Sequence, residues 1–327
     1  MKILITAPYH KAGRDLLAEM IGEVIYRPWK DLGRAYNEDE LIALLSQTKA
    51  EALITEHDEV SEKVLSANPD LKFIGVCRGT PSNVALEKAR QYGIKVLYTP
   101  ARNAQAVAEL FVANVISLLR KTIPSWQWLT EGNWDKGAHT SYLAFKGNEL
   151  AGKTIGLVGF GAVGRRIAEL TKAFPCGIQY YDPFVTGEQG DYKSVSLSEL
   201  FQTSDIVSIH LPVNENTIGM IDHDLISQMK PDAIFVNTAR GPMHNEKDLL
   251  EALKNKTIWG AGLDVTNPEP MHFDNELLNM PNVAVLPHIG SSTEETRDAM
   301  AILSAKNAIA GIRGERLLKV VNSEIYE

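Results

Sequence analysis

The stretch Thr154-Ile-Gly-Leu-Val-Gly-Phe-Gly-Ala-Val-Gly-Arg-Arg-Ile-Ala most constrains what this chain can fold into. Ile155 to Val158 is a short apolar run, the pattern of a buried parallel strand. Gly159, Gly161 and Gly164 follow in the spacing G-x-G-x-x-G, with Phe160, Ala162 and Val163 between them. Residues 165–172 continue with helical periodicity, so the glycines fall on a strand-to-helix turn. In such a turn the first glycine permits the tight bend and the second lets a pyrophosphate approach the backbone. The third lets the helix pack close to the strand. The helix N-terminus then offers N–H groups and a partial positive charge to the phosphates. Gln179-Tyr-Tyr-Asp reads as the next strand, ending in Asp182, 18 residues beyond Gly164. An acid at that place accepts hydrogen bonds from the adenosine ribose and repels a 2′-phosphate. Pro183 and Phe184 follow, with no adjacent arginine, so the turn predicts NAD rather than NADP as cofactor.

The chain has 327 residues, enough for two domains with sizeable cores. Its 44% apolar and 23% charged residues are ordinary for a soluble globular protein. A net charge of −8 disfavours nucleic acid or an anionic membrane surface as partner. Two cysteines, Cys77 and Cys176, imply no disulfide framework and no zinc site, and no metal is expected. The opening Met1-Lys-Ile-Leu-Ile-Thr reads as a strand rather than a signal peptide, so the expected location is cytoplasmic. No apolar run approaches the roughly 20 residues of a membrane span.

Short apolar runs and helical patterns alternate along the chain. Strands are expected at 2–6, 23–26, 51–55, 72–77 and 95–98, with helices at 13–20, 37–45, 60–67 and 84–92. Pro100 marks a boundary, followed by a long helix over 103–121 that is apolar on most faces and expected to be buried between domains. Residues 123–150 read as less regular, with a loop over 137–148. Trp126, Trp128 and Trp134 there are expected in core or interface packing. A second series has strands at 154–158, 178–181, 205–209, 233–237, 259–263 and 283–286. Its helices are expected at 162–173, 196–202, 223–229, 246–255 and 275–279. One more helix is expected over 293–311, with the tail 313–327 returning to the first domain. The expected fold class is α/β: a Rossmann-type doubly wound parallel sheet (102–292) plus a flavodoxin-like α/β domain (1–101 and 293–327). Hinges are expected near 100–102 and 288–293.

Three segments carry unusual polar groups just after late strands: Val236-Asn-Thr-Ala-Arg-Gly, Asp264-Val-Thr-Asn-Pro-Glu-Pro and Leu286-Pro-His-Ile-Gly. Their polar residues should emerge at the carboxyl ends of the sheet, where open α/β folds bind ligands. With the dinucleotide turn and its acid, these motifs resemble the NAD-dependent D-2-hydroxyacid dehydrogenase family over most of the chain. The resemblance implies hydride transfer between the cofactor and a 2-hydroxy or 2-keto acid, and a catalytic triad of Arg240, Glu269 and His288. The chemistry agrees with those residue types. A carbonyl oxygen that becomes an alkoxide needs a proton, and histidine can give and take one near neutrality. A nearby carboxylate favours the imidazolium, and a guanidinium fork matches the substrate carboxylate. His272 is the other histidine near Glu269 in sequence. The resemblance also implies that Asp264 contacts the nicotinamide amide. By the same analogy His210, Leu211, Pro212, Thr217, Thr238 and Ala239 lie along the dinucleotide, and the assembly is a homodimer formed mainly through the nucleotide domain.

The loop after the 72–77 strand, Arg78-Gly79-Thr80, matches the family's substrate loop, whose backbone N–H groups hold the substrate carboxylate. Arg78 stands where the first glycine is usual, which suggests a second anionic group on the substrate and a phosphoglycerate-dehydrogenase-like enzyme; an internal ion pair is the other reading. Glyoxylate, hydroxypyruvate or a four-carbon sugar acid fits the same triad. The chain is expected to lack the C-terminal regulatory domain of longer phosphoglycerate dehydrogenases. Two rivals are a NAD-sensing corepressor-like protein and formate dehydrogenase, and Glu269 argues against the second.

Overall fold

A computed structural model describes residues 1–187 and 189–313. The chain divides into two compact units, Met1–Arg102 with the segment from Ser292, and Asn103–Ser291.

In the first unit, β1 (Lys2–Ile5), β2 (Glu23–Tyr26), β3 (Ala52–Thr55), β4 (Phe73–Val76) and β5 (Lys95–Tyr98) form one sheet in the order β2-β1-β3-β4-β5. Every pairing is parallel, and the order is the expected flavodoxin-like one. β3 and β4 are buried along their whole length, because helices cover both faces of a parallel sheet. The helix Glu38–Thr48 starts at a capping box in which Asn37 and Glu40 each satisfy the other's backbone N–H. The helix Glu294–Arg313 packs on Lys11–Met20 and on β4 and β5, and Tyr9 donates a 2.7 Å hydrogen bond to the Ala301 carbonyl. The expected tail beyond 313 lies outside the described residues.

In the second unit, the strands are β6 (Thr154–Val158), β7 (Gly177–Tyr181), β8 (Lys193–Ser194), β9 (Ile206–Ile209), β10 (Ile234–Asn237), β11 (Gly260–Leu263) and β12 (Val283–Val285). They pair in parallel in the order β12-β11-β10-β9-β6-β7-β8. The order reverses between β6 and β9, which opens a crevice at the carboxyl ends of those strands. Two apolar clusters hold the unit, one around Phe201, Phe235 and Leu249 and one around Phe111, Leu157 and Ile167. The helix Ala104–Arg120 packs its buried side on Ala162–Thr171 and on β10, β11 and β12.

Four expectations need correction. β8 has two residues, too few to leave a sequence pattern. The irregular stretch 123–150 contains the helices Thr122–Thr130 and Ala138–Ala144. Pro124 lies in the first turn of the former, where its missing N–H costs nothing. That helix buries no residue, so it carries no apolar stripe to read. Trp126 and Trp134 are 65% and 53% exposed, which corrects the core half of their expectation and leaves the interface half, while Trp128 meets Phe145 edge-on at 5.4 Å. The helices expected at 223–229 and 275–279 shrink to His223–Ile226 and the 3-10 turn Glu276–Asn279. No helix among the described residues is long and apolar enough to cross a membrane.

Candidate active site

The glycine turn joins β6 to the helix Ala162–Thr171, as its sequence requires. Gly159 has φ +102°, and a Cβ there would stand 2.8 Å from the His210 backbone; a Cβ on Gly164 would stand 2.4 Å from the Gly159 carbonyl. A Cβ on Gly161 would meet nothing within 4 Å. The turn is therefore closed at its two ends and open in the middle, where a ligand could approach the backbone. Gly161 is the N-cap and supplies no side-chain cap, so the first N–H groups of the helix have no such partner. Asp182 Oδ2 accepts the Phe160 N–H at 2.8 Å and Oδ1 accepts the Phe184 N–H at 2.9 Å, which fixes this carboxylate beside the turn. After β9, Thr217 donates to the Pro212 carbonyl at 2.7 Å and accepts from the Asn214 N–H at 2.8 Å, bracing the loop that contains Leu211 and Pro212. The His210 imidazole is instead bonded to the Ser208 hydroxyl at 2.8 Å. Burial pushes its pKa down to about 3, so the ring is neutral. At the end of β10 the Thr238 hydroxyl is buried without a partner among the described residues. An open cradle, uncapped N–H groups, an anchored acid and an orphan hydroxyl fit a dinucleotide.

Three loops at the carboxyl ends of β10, β11 and β12 bear the triad residues. Asn237 ends β10 and shapes the first loop. Its Oδ1 accepts the Ala239 N–H at 2.9 Å, and its Nδ2 donates to the Arg240 carbonyl at 2.9 Å and to His244 Nδ1 at 3.0 Å. Arg240 is exposed and makes no ion pair among the described residues; Nη1 donates to the Ala239 carbonyl at 2.6 Å. Gly241 must be glycine, since a Cβ would stand 1.9 Å from the Thr266 carbonyl. That close approach seats the Arg240 loop directly on the loop that leads to Glu269.

Asp264 follows β11 and is 1% exposed. Its Oδ1 and Oδ2 accept the N–H groups of Ile289 and Gly290, both at 2.8 Å. Burial raises the Asp264 pKa, and those two N–H groups act against the rise. Gly290 leaves the room this needs, since a Cβ would stand 2.7 Å from Oδ2. Just before this anchor, His288 has φ +54°, a conformation costly to a residue with a Cβ. The turn delivers His288 Nδ1 to Glu269 Oε1, with which it shares a hydrogen bond. Glu269 lies between two cis peptide bonds, Asn267–Pro268 and Glu269–Pro270. Nδ1 is thus engaged by the carboxylate, and Nε2 is the ring atom left for a ligand. His272, the other histidine near Glu269, is exposed and makes no ion pair among the described residues.

In the first unit, Arg78, Gly79 and Thr80 leave the carboxyl end of β4 after Cys77, and the Arg78 carbonyl accepts the Thr99 N–H at 3.0 Å. Gly79 and Thr80 are exposed. Arg78 makes no ion pair among the described residues, so the internal partner considered for it is not found there.

One residue that shapes the site, and one anchoring contact, went unassigned from the sequence. Asn237 was signalled weakly, as an Asx residue at a strand end. The anchoring of residues 289 and 290 by Asp264 had no local signal, because the partners are 25 and 26 positions apart.

The sequence pattern of the family described as D-isomer specific 2-hydroxyacid dehydrogenase, NAD binding domain, matches residues 112–290, more than half of the chain. The chain is 50% identical over 321 residues to the protein YoaD of Bacillus subtilis (strain 168), whose name assigns it as a 2-hydroxyacid dehydrogenase; 98% of this chain and 93% of that one are covered. It is 37% identical over 285 residues to a glyoxylate reductase of Thermococcus litoralis, covering 85% of each. Among solved structures, the TT0316 protein of Thermus thermophilus superposes with a TM-score of 0.86 at 32% identity, over 98% of this chain and all of that one. The glycine turn, the histidine–glutamate pair and this likeness lead to one conclusion: the chain belongs to the D-2-hydroxyacid dehydrogenase family and is an NAD-dependent oxidoreductase that interconverts 2-hydroxy and 2-keto acids.

Proposed function

We propose that Arg240, Glu269 and His288 carry the chemistry of this oxidoreductase, and that the observation behind the assignment is the hydrogen bond between His288 Nδ1 and Glu269 Oε1. Bound nicotinamide supplies or accepts the hydride at the C2 carbon of the acid. With Nδ1 held by the carboxylate, the imidazolium donates its Nε2 proton to the C2 oxygen in the reductive direction. In the oxidative direction the neutral ring takes that proton back at the same atom. Glu269 fixes the ring orientation through its hydrogen bond with Nδ1. The unpaired Arg240 guanidinium binds the acid's carboxylate and polarises the C2 oxygen. In the first unit, the backbone of Arg78, Gly79 and Thr80 is the proposed substrate-carboxylate loop. Asp264 positions His288 through residues 289 and 290, and its remaining lone pairs would be available to the amide of a bound nicotinamide.

Residues 159–164 would hold the dinucleotide, with Leu211, Pro212, Thr217, Thr238 and Ala239 as further binding residues and His210 contributing only backbone. Asp182 selects NAD over NADP by charge. The substrate is a small D-2-hydroxy acid or its keto form, such as glyoxylate, hydroxypyruvate or a four-carbon sugar acid. A phosphorylated acid such as 3-phosphoglycerate is the second reading, and the unpaired Arg78 is the observation in its favour. The protein works in the cytoplasm. It forms a homodimer mainly through the nucleotide domain, where Ile123, Trp126, Leu129, Trp134, Tyr142 and Leu143 are each exposed.

The test is NADH oxidation against a panel of plain and phosphorylated 2-keto acids, with Arg240→Lys beside the native enzyme. A lysine cannot reproduce bidentate binding, so KM for the acid should rise at least tenfold with NADH affinity unchanged. An unchanged KM would remove Arg240 from substrate binding.

A further inference from the structure

Glu56 immediately follows β3 at the carboxyl end of the first unit's sheet, the end from which Arg78–Thr80 also leave. Its side chain is 15% exposed, as is expected of a structural carboxylate only when it is well paired. The pairing is loose. Oε1 lies 3.6 Å from Arg102 and Oε2 lies 3.9 Å from His57, both beyond hydrogen-bond length. Arg78 and the buried indole nitrogen of Trp29 are near enough to favour the charge, but the indole does not reach hydrogen-bond geometry. Trp29 and His57 meet edge-on at 5.1 Å and form one wall beside the carboxylate. A dehydrated carboxylate set among cations, with no close donor to either oxygen among the described residues, calls for a donor from outside.

The chemistry of that donor follows from its surroundings. An ammonium would face the guanidinium groups of Arg78 and Arg102. A phosphate would bring two negative charges against a half-dehydrated carboxylate. The Arg102 charge is balanced by Glu56, so Arg78 remains as the cation for the acid's own carboxylate. A neutral hydroxyl satisfies Glu56 without either conflict.

We propose that Glu56 is a specificity-determining residue that accepts a hydrogen bond from a hydroxyl on the substrate beyond C2, so that the enzyme acts on hydroxylated, non-phosphorylated 2-keto and 2-hydroxy acids. This rests on the reading that Arg78–Thr80 hold the substrate carboxylate.

The experiment is NADH-driven reduction of matched pairs by the full-length enzyme, Glu56→Ala and Glu56→Gln. The pairs are hydroxypyruvate with pyruvate, and 3,4-dihydroxy-2-oxobutanoate with 2-oxobutanoate; 3-phosphohydroxypyruvate is the charged probe. The native enzyme should favour the hydroxylated member of at least one pair by about tenfold or more in kcat/KM, the scale of a charge-assisted hydrogen bond. That ratio should fall towards one in Glu56→Ala. In Glu56→Gln, which keeps the shape and loses the charge, the rate on 3-phosphohydroxypyruvate should rise relative to hydroxypyruvate. A ratio unmoved in both variants overturns the proposal, as does a native preference for the phosphorylated acid. A purely structural Glu56 would lower all rates together and leave the ratios alone. If Glu56→Ala does not fold, the Gln ratio decides. A native enzyme inert on every acid would instead overturn the dehydrogenase reading itself.

Discussion

Replacing Asp264 by alanine should disable turnover while sparing cofactor binding. The carboxylate spans two backbone N–H groups at 2.8 Å, and both belong to the turn that holds His288 at φ +54°. Hydrogen bonds to a charged group contribute roughly 1.5–3 kcal/mol each. Burial opposes part of this, since it disfavours the ionised carboxyl. The net loss should be about 3 kcal/mol for alanine. Asparagine keeps one acceptor oxygen, so its loss should be about half. Without the anchor the imidazole leaves Glu269, and general acid–base help of that kind is worth about 10²–10⁴-fold in rate. Stopped-flow NADH absorbance should therefore show hydride transfer slowed at least about 100-fold in Asp264→Ala, and urea unfolding should give the stability loss. NADH affinity by fluorescence should change little, because the glycine turn is untouched. The reasoning fails if hydride transfer stays near the native rate, or if affinity for NADH collapses while the rate survives; Asp264 would then act mainly on the cofactor.

Other expectations follow from single residues. Gly164→Ala places a Cβ against the Gly159 carbonyl, so calorimetric binding of NADH should weaken by about 1.4 kcal/mol or more, a tenfold loss; native-like affinity would mean the turn can shift at no cost. Asp182→Ala should raise the ratio of NADPH to NADH efficiency at least tenfold, and an unmoved ratio would place cofactor selection elsewhere. Burial holds His244 at about 4 against the ordinary 6.5, so between those values the unfolded chain binds the additional proton. The stability from this group is complete above about pH 7 and is lost as pH falls towards 4, a loss of about 3 kcal/mol at 1.36 per unit. Urea melts of His244→Val should show that much less acid sensitivity between pH 7 and 4, and parallel curves would refute it.

Much of the fold could be read in advance, because parallel strands buried on both faces write themselves as apolar runs. β6, β7 and β9 lie within one residue of their expected bounds. The glycine turn was legible for a steric reason, since Gly159 and Gly164 occupy places where a Cβ collides with backbone. The helix Thr122–Thr130 was not legible, because a helix that buries nothing has no periodic stripe. At the candidate site, motifs propose Arg240, Glu269 and His288, but the contacts that arrange their loops could not be read from them. Gly241 against Thr266, and Asp264 against the 289–290 backbone, are contacts between distant segments that leave no local pattern. Glu56 escaped notice for a related reason, since only the strand order brings the ends of β3, β4 and β5 together with Trp29.

The most direct test of the account is single-turnover hydride transfer in His288→Ala, with NADH affinity measured on the same preparation. The account predicts a rate lower by about 10³-fold, within the range for a lost acid–base group, and an affinity within about threefold of native. A variant that keeps a tenth or more of the native rate, or that loses NADH binding instead, would contradict it.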